Sequence, residues 1–460
     1  MFIGVLLIFS AISAAILAVR WYQLDQRLTS CGIPTMWLNP KHIITGDFPA
    51  ILDSVTAFLD KNNGIGALRS PAGKPFVIVN SPELLRKVLT GVPQKKMHAN
   101  GVQNPLVGAF SPKLLKLERK VSSAIDSTSI LLLKTLTDLF DNFCERETRA
   151  PPGSDSAASL RSFWWQVRLC LLFGKNTWNK TTISHCENRF YAEVGQFASL
   201  LINMFPAAKY LPLPSTIWYR YSVYKLREHL REEIIQFEAN GRDGGKKYGP
   251  WAMLNEIDNK ETMDLKIDLC MKMLFVGIGP LTDIICWMLY HIAGDQKLQG
   301  RLVEEIKTKN SKDFRSVSTL PLMDATYKET LRMYSPVHVG RVTQVEQVLN
   351  SYKIPKGCDF MTNMHFIHRS PKYFKDPGDF DPSRFLKHLD SSKPFFPFSI
   401  GARSCPGSQI SACVAKLFLS RLLSSYRLEL DPKPQSAIKT GFNLVMPIRP
   451  QNLFLKIRHR

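Results

Sequence analysis

"FSIGARSCPG", residues 398–407, sets one thiol, Cys405, between Gly401 and Gly407, with Phe398 at the head of the stretch and Arg403 just ahead of the sulfur. Glycine at both flanks lets the backbone take conformations that other residues avoid and lets a flat ligand approach closely. Backbone amides aimed at the sulfur would stabilise a thiolate and moderate its donation to a metal. Arg403 adds positive charge nearby, and Phe398 would shield the sulfur from water. A thiolate shaped in this way suits the axial position of a haem, where its push favours O–O cleavage. A lone cysteine is more often a buried thiol in an ordinary turn, but the complete frame F-x-x-G-x-R-x-C-x-G argues against that reading here.

A length of 460 residues allows one large domain or two to three ordinary ones, with a sizeable core. Hydrophobic content of 45% is that of a globular chain. The nine cysteines are scattered at 31, 144, 170, 186, 270, 286, 358, 405 and 413, with no CxxC pair. Neither a zinc ribbon, a thioredoxin-like motif nor a disulfide framework is supported, and the thiols read as reduced and cytosolic. The formal charge of +21 is dispersed and forms no arm or aromatic–glycine signature of a nucleic-acid reader. A membrane surface or an acidic protein partner accounts for it as well, and a solvated basic surface is the bland alternative.

"FIGVLLIFSAISAAILAV", Phe2 to Val19, holds no charge and is close to the lower length limit for a membrane-spanning helix. Arg20, Trp21, Tyr22 and Arg27 follow as an aromatic and positive flank, which orients the rest of the chain to the cytosol. A cleaved signal peptide is the competing reading, with Ala14, Ala15 and Ala18 as candidate processing residues. The missing basic leader and the unpaired cysteines favour a retained anchor.

Beyond the anchor the chain reads as one continuous body. "CGIP" (31–34) is a short hinge, and "KPFVIVNSPELLRKVLTG" (74–91) predicts a buried strand, a turn and a helix. From Ser129 to about Lys309 the pattern is mainly helical, with an aromatic cluster at "SFWWQV" (162–167). "RAPPGSDSAAS" (149–159) and "ANGRDGGKKYGP" (239–250) are loops too short for interdomain linkers. No internal repeat is found, and the sequon at Asn179 would stay unmodified in a cytosolic domain.

Two further motifs precede the cysteine loop. "KETLRMYSP" (328–336) contains Glu329-x-x-Arg332, two residues that share a helix face, and "FDPSRF" (380–385) contains Arg384. An isolated E-x-x-R means almost nothing. In the order E-x-x-R, F-x-P-x-R-F, cysteine loop, with "IPKG" (354–357) between the first two, the set is specific. It resembles the cytochrome P450 superfamily, of the microsomal type, over essentially all the chain after the anchor. The resemblance implies a mainly α fold with a small β region, α+β in class. It would form one large domain over residues 29–460, preceded by a transmembrane anchor over 1–28.

The same resemblance implies haem b as cofactor, with Cys405 as its axial ligand and Phe398, Arg403 and Gly407 in the binding loop. Glu329, Arg332 and Arg384 would form a structural cluster that fixes the segment supporting that loop. Arg341 stands where the family carries a propionate partner, and Arg403 of the cysteine loop is a second candidate. Arg119 is another candidate: in "SPKLLKLERKV" (111–121) the family's W-x-x-x-R keeps its arginine, while Leu115 replaces the tryptophan. A surface helix arginine is the alternative for Arg119, and His98 is a weaker candidate.

"LFVGIGPLTDIICW" (274–287) stands where the family's distal helix crosses the haem, but the family's acid–alcohol pair is absent. Aligned without gaps on Trp287, Val276 and Gly277 match the small pair, Gly279 takes the acid's place and Pro280 that of the threonine. Proline removes a helix hydrogen bond and predicts a kink. Thr282 and Asp283 are then the candidate catalytic pair, supplying alcohol and acid from shifted positions. The alternative is that Thr282 caps local backbone and Asp283 faces solvent or a neighbouring helix.

As a monooxygenase, the chain would draw NADPH electrons through NADPH–cytochrome P450 reductase, with cytochrome b5 as an optional second partner. It would act on a lipophilic small molecule at the endoplasmic reticulum membrane, its catalytic domain in the cytosol, without binding nucleic acid. A P450-type isomerase that rearranges a lipid peroxide without dioxygen or reductase also fits the altered helix. So does a haem-binding protein with little turnover. The altered helix and the opening "CGIP…TGDFPAILDSVTAFL" (31–59) are similar to the orphan family-20 enzymes of animals, the latter weakly.

Overall fold

The computed structural model describes residues 19, 21–39, 41, 48–70, 73–91, 97–98, 133–134, 136–151, 153–173, 214–240, 263–275, 278–311, 313–335, 338–343, 345–386, 394–401, 404–431, 439–443, 446–451 and 453–460. Among these, no helix is long and apolar enough to cross a membrane. The run read as an anchor lies outside them except for Val19.

Six strands form one sheet. β1 (Thr35–Trp37), β2 (Ile65–Ser70), β3 (Gly73–Val79), β4 (Met97–His98) and β5 (His338–Thr343) precede a small hairpin of β6 (Gln347–Leu349) and β7 (Tyr352–Ile354), and β8 (Asp359–Asn363) completes the sheet. The order is β1-β2-β3-β8-β5-β4, with parallel pairs at β1–β2 and β3–β8. The predicted strand at 74–79 is β3. The turn after it ends at Ser81, whose hydroxyl caps the short helix Pro82–Arg86, and a wider turn continues to Gly91. Proline in the first helical turn wastes no hydrogen bond there.

The helices carry the larger core. In chain order they are α1 (Phe48–Lys61), α2 (Ser156–Phe173), α3 (Pro214–Asn240), α4 (Met263–Phe275), α5 (Ile278–Gly294), α6 (Gln296–Lys309), α7 (Pro321–Met333), α8 (Met364–His368) and α9 (Ser408–Ser425). The caps follow from sequence. Asp295 accepts from the Lys297 and Leu298 amides to start α6, and Asn310, at φ 46°, ends it in the left-handed region that asparagine tolerates.

The "SFWWQV" cluster lies on α2 inside this core. Phe163 stacks on Phe143 at 4.3 Å between ring centres, and Phe418 of α9 meets Phe140 and Trp164 edge-on at 5.4 Å each. These rings join α2 to α9, the helix that begins at the cysteine loop. Near the chain end, β9 (Tyr426–Leu430), β10 (Lys439–Asn443), β11 (Met446–Gln451) and β12 (Leu455–His459) form two hairpin-like pairs, β9 with β12 and β10 with β11.

The stretch read as one kinked distal helix is helical over Met263–Phe275 and over Ile278–Gly294. α4 ends at Phe275, and α5 begins at Ile278, with Val276 and Gly277 outside the described residues. Pro280 stands on α5, and Val276, the residue four positions before it, lies outside the described residues. The predicted kink falls at this boundary, outside the described residues.

Phe418 is fully buried at the centre of the aromatic cluster. Phe418→Ala should lower the unfolding free energy by about 3–5 kcal/mol, the range for deleting a core aromatic. Chemical denaturation of the haem-loaded protein measures it.

Candidate active site

Glu329 and Arg332 lie one turn apart on α7, and both side chains are fully buried. Arg332 grips the carboxylate with two bonds, Nε to Oε2 and Nη2 to Oε1, each 2.8 Å. Its other donors reach the carbonyls of His368 at 3.0 Å, Pro377 at 2.9 Å and Asp379 at 3.1 Å. A guanidinium has five N–H groups, and every one is used. Glu329 Oε1 also accepts from the Asp381 amide at 2.9 Å and from Arg384 Nε at 3.3 Å. Arg384 adds a bond of 2.9 Å to the Asp376 carbonyl. The three residues picked from the two motifs are thus brought together, and they clamp the 375–384 segment to α7.

The cysteine loop leaves this clamp at Phe395–Phe398. Phe395 and Phe398 pack against the helical core, and Phe396 and Ile400 against the core under the sheet. The Phe398 carbonyl accepts the Cys405 amide at 2.9 Å, closing the loop, and Ser404 N–H donates to Gly401 O at 3.0 Å. Gly401 has φ +80°, and a Cβ there would sit 2.7 Å from the Leu89 carbonyl oxygen. Only glycine fits.

Gly407 differs from expectation. Its φ is −92°, and a Cβ would make ordinary contacts of 3.8 Å to Ile410 and 3.9 Å to the Cys405 sulfur. The second left-handed residue of the loop is instead Ser399, at φ 62°. Its hydroxyl is buried and makes no hydrogen bond.

Cys405 is the one exposed thiol among the described cysteines. It stands just ahead of α9, whose positive end favours a thiolate. No cluster of three metal-ligating side chains exists among the described residues. Among the described residues, the exposed Cys405 thiol, the Gly401 turn and the unused Ser399 hydroxyl fit a haem-thiolate loop.

Thr282 and Asp283 are buried on α5, which excludes a solvent-facing Asp283. Consecutive helical residues diverge by about 100°, so the two side chains leave the helix on different sides. Gly279 is buried and Pro280 partly so, in the turn before them. Aromatic contacts fix α5 to Tyr334 at the end of α7 and to Phe380 in the clamped segment. Trp287 stacks on Tyr334 at 3.9 Å, His291 stacks on Phe380 at 3.7 Å, and Tyr334 Oη meets His291 Nε2 at 2.9 Å.

Arg341 is buried on β5, and its Nη1 donates to the Gly340 carbonyl at 2.8 Å. Arg119 and Arg403 lie outside the described residues, and His98 is placed on β4 by its backbone. The sequence reading missed His368 and Ser399. "HR" at 368–369 carries no spacing signal, and Ser399 looks like an ordinary loop serine.

Burial holds His291 neutral, with its pKa pushed down to about 4. Burial, and then the neighbouring Arg332 charge, push His368 down to about 3.

A family profile described as cytochrome P450 matches residues 71–455. The chain is 29% identical over 238 residues to the mitochondrial sterol 26-hydroxylase of Mus musculus, covering 48% of this chain and 43% of that one. It is 30% identical over 183 residues to the mitochondrial cholesterol side-chain cleavage enzyme of Hypanus americanus, covering 38% and 35%. The chain spans less than half the length of both relatives. A solved structure, retinoic acid-bound cyanobacterial CYP120A1, shares the fold with a TM-score of 0.74 at 19% identity, covering 87% of this chain and 93% of that one.

Ser399→Gly should stabilise the loaded protein by up to about 1 kcal/mol, by relieving a left-handed side chain. Gly401→Ala should do the opposite and reduce haem retention; denaturation and absorbance titration read both. The unfolded chain binds protons at His291 and His368 below their ordinary value of 6.5, whereas the folded chain refuses them until about 4 and 3. Stability from this source is complete above 6.5 and is lost as pH falls toward 4. His291→Phe, which keeps a ring against Phe380, should flatten that dependence in denaturation curves taken across the window.

Proposed function

As the chain belongs to the cytochrome P450 family, we propose that it is a haem-thiolate monooxygenase that inserts one oxygen atom of dioxygen into a lipophilic small molecule. The observation that carries this reading is the Cys405 loop: one accessible thiol on a closed, glycine-cradled turn at the head of α9. Haem held there would supply the metal-centred activation of dioxygen.

The chain's own residues do the rest. Cys405 ligates as a thiolate whose geometry is held by the bond to Phe398 O. Arg341, with Arg119 and Arg403, would neutralise the propionates. Thr282 and Asp283 hold and pass protons on the distal side, and their divergence on α5 calls for a bridging water between hydroxyl and carboxylate. Two electrons per turnover would come from NADPH through a flavoprotein reductase, with cytochrome b5 as a second donor. The basic surplus would favour docking of an acidic partner.

Residues 1–28 would form the anchor and 29–460 the catalytic domain, with the endoplasmic reticulum as the first site to examine. Both sterol-acting relatives are named as mitochondrial, which makes the mitochondrion the competing location. Their names also make sterols the first substrate class to test. Gly279 and Pro280, standing where the family carries its acid and alcohol, favour a second reading, rearrangement of a lipid peroxide that needs no distal proton supply.

Oxygen uptake with NADPH and a microsomal reductase tests the proposal. A sterol-stimulated uptake with little peroxide release supports monooxygenation, and no uptake despite a reducible haem centre overturns it. Thr282→Ala should raise peroxide release several-fold at unchanged electron use; unaltered coupling would remove Thr282 from the proton route.

A further inference from the structure

His368 ends α8 and is completely buried between the clamp and the cysteine loop. It makes three contacts to three parts of the chain. Its carbonyl accepts from Arg332 Nη1 at 3.0 Å, its Nδ1 lies 3.0 Å from Ser335 Oγ, and its Nε2 lies 3.0 Å from the Phe396 amide nitrogen. The proton positions follow from chemistry. A backbone N–H can only donate, so Nε2 accepts from Phe396 and the ring proton sits on Nδ1. Nδ1–H then donates to Ser335 Oγ, whose own hydroxyl proton goes to the Leu331 carbonyl at 2.9 Å. One direction of donation runs from the loop through the imidazole into α7.

The Phe396 end of this chain bears on the thiol. Phe396 O accepts the Ser399 amide, which holds the left-handed residue, and Phe398 O accepts the Cys405 amide, each at 2.9 Å. The limb that receives the Cys405 N–H is therefore pinned to α7 by an imidazole. We propose that His368 is a positioning residue for the Cys405 thiolate: its neutral Nδ1–H tautomer holds the Phe396–Phe398 limb, and so sets the place and persistence of the axial sulfur. This rests on the haem-thiolate reading of Cys405.

The ring offers both hydrogen-bonding roles at once, and two amide variants divide them. In His368→Gln the longer side chain brings an amide oxygen to the place of Nε2, where it accepts from Phe396. In His368→Asn the shorter side chain brings an amide nitrogen to the place of Nδ1, where it donates to Ser335 and leaves Phe396 N–H without an acceptor. Ser335→Ala removes the far end of the chain and leaves the Phe396 contact in place.

The measurement is the thiolate-type reduced carbon monoxide spectrum of the haem-loaded full chain, followed in time. Amide hydrogen exchange over 394–407 is read on the same samples. Gln should keep the wild-type spectrum and exchange. Asn should lose the thiolate band about tenfold faster and exchange the Phe396 and Cys405 amides faster by a like factor, as expected for one buried donor left unmade. Ser335→Ala, which like Gln loses only the contact to Ser335 Oγ, should behave as Gln does.

Asn behaving as wild type would overturn the proposal. So would Gln and Asn failing equally, since the ring would then matter only as packing. A wild-type protein with no thiolate band would sink the haem-thiolate reading instead, while the exchange data would still report whether His368 holds the loop.

Discussion

A buried arginine with five satisfied donors is the constraint on which the site depends. Arg332 and Glu329 are both without solvent, so each charge is tolerable only because the other is there and every remaining lone pair or proton has a partner. The partners are not on α7. They are carbonyls at 368, 377 and 379 for the guanidinium and the amide at 381 for the carboxylate, so satisfying one buried ion pair folds a stretch of otherwise irregular chain onto a helix. That stretch leads to the cysteine loop, and His368 lies at the junction.

The loop inherits its rigidity from both sides. Its apolar residues divide between two cores, Phe395 and Phe398 into the helical one and Phe396 and Ile400 into the one under the sheet. Gly401 is pressed against the backbone at Leu89, so the wide turn after β3 forms the floor beneath it. A loop held in this way can keep a strained Ser399 and present one thiol in a fixed place. Rigid support with an accessible sulfur is what an axial thiolate requires.

Much of this was legible in the sequence. Glu329 and Arg332 could be paired from their helical spacing, and the family resemblance of the ordered motifs joined Arg384 to them. The Gly401 requirement could be read too. Gly407 could not be told from it, since whether a glycine needs left-handed backbone depends on neighbours far away in the chain. Ser399 took that conformation without advertising it. His368 was invisible, since its three partners lie at 332, 335 and 396, and only folding brings them together. Arg119 and Arg403 lie outside the described residues, and their part in cofactor binding remains a proposal.

The central claim is that Cys405 is the axial ligand of a haem. The reduced carbon monoxide spectrum of the haem-loaded protein tests it most directly, compared with that of Cys405→Ser. A thiolate-type band in the wild type that disappears in the serine variant, with haem still bound, is the result expected. An identical spectrum in both proteins would contradict the ligand assignment and the function built on it.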